Sequence, residues 1–123
     1  MRILVVDDEP FLRMLMVDQL EEAGFDVLEA ASGGEACRLI EDPNHVDLVV
    51  TDLNMPDADG VVVATRARAQ FPDVPVLFVS GRSDLLKSLP APHPYSYLTK
   101  PFSMRQFSAA IDDLLGPRQA RTP

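Results

Sequence analysis

Short apolar runs alternate with stretches of helical spacing along the whole chain. Ile3–Val6 is a continuous apolar run closed by Asp7 and Asp8, the pattern of a strand buried on both faces. Pro10 suits the first turn of a helix and Gly24 its C-terminal stop, with Leu12, Met16, Leu20 and Ala23 recurring three and four apart between them. Asp26–Glu29 reads as a short strand. Ser32 and Glu35 have the spacing of a capping box, opening a helix that turns Ala36, Leu39 and Ile40 inward. Asp47–Thr51 is a third strand, followed by a polar loop over 52–59. Gly60–Gln70 is a valine-rich helix, weak by propensity. Val74–Val79 is a fourth strand, Arg82–Leu89 a short helix closed by Pro90, and Tyr95–Leu98 a fifth strand. Ser103 and Gln106 form a second capping box for a helix with Phe107, Ile111 and Leu114 on one face. Gly116-Pro117 ends it, and residues 117–123 read as a frayed tail after a single domain over 1–116.

Five strands alternating with five helices predict an α/β domain, a doubly wound parallel sheet with helices on both faces. At 123 residues the chain suits one domain with one sheet. Ligands of such sheets bind outside the carboxyl ends of the strands. The first strand ends in Asp7-Asp8, the third in Asp52, the fourth in Ser80-Gly81 and the fifth in Thr99-Lys100-Pro101.

Charge sharpens that picture. The net charge is −8, yet residues 1–60 hold 15 acids against 3 bases, and residues 61–123 hold 4 acids against 8 bases. The acidic balance disfavours direct binding to nucleic acid or an anionic membrane. The single cysteine, Cys37, excludes an internal disulfide and reads as a small mid-helix hydrophobe. No run is long enough for a signal peptide or a membrane span, so a cytoplasmic protein is expected. His45 and His93 lie in loops without ligand partners at metal spacing. Met14, Met16, Met55 and Met104 read as packing residues.

Three carboxylates brought to one edge repel, and a hard divalent cation removes the conflict; Mg²⁺ is the natural candidate. Lys100 offers a compact positive charge for a dianionic group, and Ser80 a hydroxyl that bonds it. A carboxylate can itself be the nucleophile. The chemistry suggested is Mg²⁺-assisted phosphoryl transfer onto Asp52. Asp8 or Glu9 alone, just before Pro10, would equally suit a helix cap; the five positions together point to a site.

The motifs ILVVDDEP (3–10), LVVTDLNMPDADG (48–60), VLFVSGR (76–82) and YLTKPF (97–102) resemble, in order and spacing, the receiver domains of two-component response regulators. The resemblance runs from Arg2 to about Leu115. It implies a flavodoxin-like sheet of order 2-1-3-4-5 and a domain that accepts a phosphoryl group rather than an enzyme of turnover. It implies Asp52 as phosphoacceptor, Asp8 as direct metal ligand, Asp7 as its partner and Asn54 as the source of a metal-binding backbone carbonyl. It implies Ser80 and Tyr97 as a coupled switch pair, Lys100 as the phosphoryl-binding lysine, and a cis Lys100–Pro101 bond. The donor would be a histidine kinase or a histidine phosphotransfer protein. With no second domain expected after Gly116, output would pass to a protein partner or by relay.

The segment Leu89–Pro94 departs from that family, since three alternate prolines favour extended chain where relatives carry a longer fourth helix. The first helix carries more apolar residues than one stripe buries. Beyond its core positions it has Phe11, Met14, Leu15 and Val17, either a broad core face or, for Phe11 and Leu15, a docking patch for the donor's helix. Two rival readings are an aspartate-nucleophile phosphatase of the haloacid dehalogenase kind and a phosphorylation-independent scaffold. The first expects an Asp-x-Asp motif where this chain has Asp7-Asp8-Glu9-Pro10.

Overall fold

The structure is a computed structural model that describes residues 1–41, 45–57, 59–82, 84 and 95–116. Five strands, β1 (Arg2–Val6), β2 (Asp26–Ala30), β3 (Leu48–Asp52), β4 (Val76–Ser80) and β5 (Tyr95–Thr99), form one parallel sheet of order β2-β1-β3-β4-β5. The helices among the described residues are α1 (Pro10–Glu22), α2 (Gly33–Glu41), α3 (Gly60–Gln70) and α4 (Met104–Leu115). Residues 83 and 85–89 of the fifth expected helix (82–89), the proline segment 90–94 with His93, and the tail 117–123 lie outside the described residues. None of the described helices is long and apolar enough to cross a membrane.

The sheet buries both faces, which is why its central strands are apolar up to their polar C-terminal ends. Leu4, Val6, Val49, Val76 and Phe78 pack on one side against Ala36 and Ile40 of α2 and Val63, Ala64 and Ala67 of α3. Ile3, Val5, Val50, Leu77 and Val79 pack on the other against Met16, Val17 and Leu20 of α1 and Phe107, Ile111 and Leu115 of α4. Burial of small and β-branched residues carries α3 despite its poor propensity. Asp59 supplies its cap, accepting the Val61 and Val62 amides at 3.0 and 3.1 Å.

Several local expectations shift. β3 and β4 each run on to their terminal polar residue, because the ladder pairs Asp52 with Val79 and Ser80 with Thr99. Ala23 is exposed at the C-cap of α1 instead of facing the core, and Gly24 follows with φ +93°, a left-handed stop. Val17 joins the core, as a broad core face on α1 expects, whereas Met14, expected to pack, is exposed. The Ser32–Glu35 box is displaced by one residue: Ser32 Oγ accepts the Glu35 amide at 3.1 Å, but the Glu35 carboxylate accepts the Ala31 amide at 2.7 Å. The Ser103–Gln106 box forms as expected, and the Lys100–Pro101 bond is cis.

Candidate functional site

The C-terminal ends of β1, β3, β4 and β5 come together at one edge of the sheet. Asp7 follows β1 and is fully buried, its amide bonded to Ala30 O at 3.2 Å. Its Oδ1 accepts the Glu9 amide at 2.8 Å, an Asx-type turn that sets the entry into α1. Asp8, the next residue, is exposed. Asp52, the last residue of β3, is 5% exposed, and its Oδ1 accepts the Asn54 amide at 3.1 Å. Ser80, the last residue of β4, is buried with Oγ accepting the Arg82 amide at 3.0 Å.

Lys100 closes the site. The Ser80 carbonyl accepts its amide at 2.8 Å, which fixes the backbone just beyond β5. Its Nζ donates to Asp52 Oδ2 at 3.0 Å and Glu9 Oε2 at 3.2 Å, and lies 3.2 Å from Asp7 Oδ2. That last pair is an ionic contact without hydrogen-bond alignment, so Asp7 Oδ2 is a buried oxygen with no hydrogen-bond partner among the described residues. Burial pushes the Asp7 carboxyl above its ordinary range; the Glu9 amide and the Lys100 charge oppose this, and Asp52 adds to it. Burial alone would lower Lys100, but its bond to Asp52 and the charges of Asp7 and Asp52 outweigh it and hold the ammonium above its usual value.

Asp7, Asp8 and Asp52 each place a carboxylate oxygen in one group whose members lie within 4.8 Å of one another. An all-oxygen, anionic donor set with one buried, unsatisfied oxygen fits a hard divalent cation. An open cavity of about 460 Å³ adjoins it, lined by Asp8, Glu9, Asp52, Asn54, Ser80, Gly81, Arg82 and Lys100. The edge thus brings the Asp52 carboxylate to the cavity beside an oxygen cluster that could hold a cation, an ammonium and a hydroxyl.

Of the expected residues, Asp7, Asp8, Asp52, Asn54, Ser80 and Lys100 converge here. Tyr97 stands apart on β5, in register with Phe78 and on the same face of the sheet as Ser80, with 43% of its surface exposed. Phe11 is 70% exposed near the acidic end of α1, and Leu15, one turn on, is half-buried. His45 takes no part: it bonds Asp47 at 2.7 Å at the far end of the sheet.

Other contributors escape a reading of single motifs. Glu9 occupies the N-cap position of α1 but makes no side-chain cap bond; its carboxylate goes to Lys100. Arg13 donates to the Asp7 carbonyl at 2.8 Å and to Glu29 at 3.0 Å, tying α1 to the ends of β1 and β2. Gly60 brings α3 against the backbone of Asp52 itself. A Cβ there would lie 2.5 Å from Asp52 O, and the Gly60 amide donates to Leu53 O at 2.9 Å.

The family model for the response regulator receiver domain matches residues 3–112. The chain is 38% identical over 116 residues to the sensor kinase CckA of Brucella abortus, covering 92% of this chain and 12% of that protein. It is 33% identical over 122 residues to a chemotaxis protein CheY homolog of Campylobacter jejuni, covering 94% of this chain and 93% of that one. The crystal structure of the response regulator TrrA of Thermotoga maritima in complex with Mg²⁺-BeF superposes with a TM-score of 0.79 at 31% identity, over 92% of this chain and 97% of that one. With the parallel sheet, its strand order and the carboxylate edge already in place, the match over nearly the whole chain decides the assignment: this chain belongs to the response regulator receiver domain family.

Proposed function

We propose that the chain accepts a phosphoryl group on Asp52 from a phosphohistidine of a histidine kinase or a histidine phosphotransfer protein. The observation that carries the reading is the placement of the Asp52 carboxylate. It ends the central strand, opens onto the cavity, joins Asp7 and Asp8 in one oxygen cluster and bonds Lys100 at 3.0 Å. In the transfer, the phosphorus–nitrogen bond of the phosphohistidine breaks and a phosphorus–oxygen bond to Asp52 forms. The imidazole leaves with the electron pair and takes up a proton from solvent.

Asp7, Asp8 and Asp52, with the carbonyl of Asn54, would hold Mg²⁺. The Mg²⁺-BeF complex of TrrA supports that choice of metal. When bound, the ion neutralises charge on the phosphoryl oxygens. Lys100 exchanges its bonds to Asp52 and Glu9 for the phosphoryl group, a stronger acceptor. Ser80 Oγ releases the Arg82 amide and donates to a phosphoryl oxygen. Tyr97 lies on the same face two register positions away, and its exposed ring follows into the space that Ser80 vacates. The phosphoryl group favours that arrangement because only there does Ser80 bond it. Phe11, exposed, and Leu15, half-buried one turn on, form the docking patch for the donor's helix, since an apolar patch beside a reactive edge marks a partner surface. Output then goes to a protein partner or onward by relay, and the domain is a signalling acceptor rather than a turnover enzyme.

The reading is tested by incubating the protein with a panel of histidine kinases carrying phosphohistidine and, separately, with a phosphomonoester. Transfer of one phosphoryl group to this chain supports it. Steady hydrolysis of the phosphomonoester without transfer would establish the phosphatase reading instead.

A further inference from the structure

The loop between β3 and α3 carries Asn54, whose amide bonds the Asp52 carboxylate and whose carbonyl is placed toward the cation in the function proposed above. That loop is fastened at a point outside the site. The Asp57 carboxylate accepts the amide of Gly33 through Oδ1 at 3.1 Å and the amide of Gly34 through Oδ2 at 2.8 Å. These are the first two residues of α2, and their amides have no partner within the helix. The other donors of this helix start are met locally. Ser32 Oγ takes the Glu35 amide and Ser32 O the Ala36 amide. Asp57 is therefore a cap supplied in trans, from 23 and 24 residues away in sequence.

Two glycines make the grip possible. A Cβ at Gly34 would lie 3.0 Å from Asp57 Oδ2, tighter than ordinary van der Waals contact. With glycine there, the carboxylate reaches both amides at once, and the positive end of the α2 dipole favours its charge. One end of the Leu53–Asp59 loop is set by Gly60 against Asp52, and its middle is set by Asp57 against α2.

We infer that Asp57 is a positioning residue for the cation site: by clamping its loop to the start of α2 it holds Asn54 in place relative to Asp52. The inference rests on the phosphoryl-acceptor reading and adds a residue to it. A partner that orients a ligand-bearing element acts on affinity for the ion, not on the chemistry of the acceptor.

The test combines calorimetric titration with Mg²⁺ and phosphorylation by a small phosphodonor across Mg²⁺ concentrations, on the full chain. Asp57→Ala should weaken Mg²⁺ binding by about tenfold, the lower end for residues that orient metal ligands. It should raise the half-saturating Mg²⁺ equally and leave the rate at saturating Mg²⁺ within about twofold of wild type. Asp57→Asn, which keeps one acceptor oxygen, should fall between. Ser32→Ala removes a bond from the same helix start without touching the loop, so its Mg²⁺ affinity should match wild type. Gly34→Ala should push Asp57 away, so Mg²⁺ binding should weaken as in Asp57→Ala, while the helix propensity of alanine offsets part of the lost cap.

Unchanged Mg²⁺ affinity in folded Asp57→Ala, or in Asp57→Asn should the alanine variant not fold, overturns the inference. So does an equal loss in Ser32→Ala, which would reduce Asp57 to a helix cap. If the wild-type chain itself takes no phosphoryl group while Mg²⁺ binding follows the predicted series, the acceptor reading fails and the positioning role stands. If wild type binds no Mg²⁺, both fall.

Discussion

Gly60→Ala perturbs the acceptor from behind without changing a single charged group. The new Cβ would sit 2.5 Å from Asp52 O, 3.0 Å from Leu53 Cα and 3.2 Å from Asp52 C. All three are backbone atoms of a strand end that is fully buried, so no rotamer change relieves the contact. The same carbonyl already accepts Thr51 Oγ at 3.0 Å, and Leu53 is tied to Val79 O at 2.9 Å and to the Gly60 amide. Relief requires α3 to slide away from β3. Overpacking of this kind costs about 1–3 kcal/mol. The better helix propensity of alanine offsets up to ~1 kcal/mol of that, less at a first-turn position. We expect a net loss of about 1–2 kcal/mol, a fall in Tm of roughly 5 °C for a domain of this size. Gly81→Ala is the control: nothing lies within 4 Å of its Cβ, and it should stay within about 0.5 kcal/mol of wild type. Urea unfolding followed by far-UV circular dichroism reads both. Because the strain falls on Asp52, Gly60→Ala should also slow phosphorylation by a small phosphodonor, whereas its charge-neutral nature leaves Lys100 and the carboxylates in place. A Gly60→Ala protein as stable and as reactive as wild type would refute the close approach of α3 to the acceptor.

Further outcomes are expected at other points of the molecule. Asp8→Ala should weaken Mg²⁺ binding by at least about tenfold in a calorimetric titration, more than Asp7→Ala, as a lost carboxylate ligand does; unchanged affinity would move the cation site elsewhere. Phe11→Ala and Leu15→Ala should slow transfer from a cognate histidine donor while leaving small-donor phosphorylation intact, and a stability loss of ~2–5 kcal/mol for Leu15→Ala would make it a core residue. Tyr97 ring resonances should move when a phosphoryl mimic and Mg²⁺ are added; identical spectra reject its coupling to Ser80. Burial alone would raise the Asp47 carboxyl, but the Arg2 amide at 2.8 Å and His45 at 2.7 Å outweigh it and hold it below its ordinary value. A lowered folded-state pKa gives stability that is present at neutral pH and is lost as the pH falls through it. Asp47→Asn should therefore lower stability at pH 7, with the difference from wild type closing below about pH 4.

What could be read in the sequence follows the range of the interactions. β1, β3 and β4 are legible because strands covered on both faces must be apolar at every position, as Ile3–Val6 and Leu48–Val50 are. Their polar ends are not, since only the ladder places Asp52 and Ser80 inside it. The convergence of Asp7, Asp8, Asp52, Ser80 and Lys100 follows from the strand-end rule once the sheet is parallel, whereas the strand order came from the family resemblance. Contacts that join distant loops have no local signature. Asp57 on Gly33 and Gly34, Arg13 on the Asp7 carbonyl, and Glu9 on Lys100 depend on where the sheet brings each loop. Ala23 misled because the apolar spacing continued one residue past Glu22, where α1 ends before Gly24 turns the chain. The broad core face of α1 takes in Val17 because the helix is covered by α4 as well as by the sheet, through contacts such as Gln19 on Ser108 at 2.8 Å.

The central claim is that Asp52 accepts the phosphoryl group, and intact-protein mass spectrometry after incubation with a small phosphodonor and Mg²⁺ tests it most directly. Wild type should gain the mass of one phosphoryl group, and should gain none when Mg²⁺ is omitted from the reaction. Asp52→Asn, close in volume and without the nucleophilic charge, should gain none under the same conditions. Equal labelling of wild type and Asp52→Asn would contradict the account.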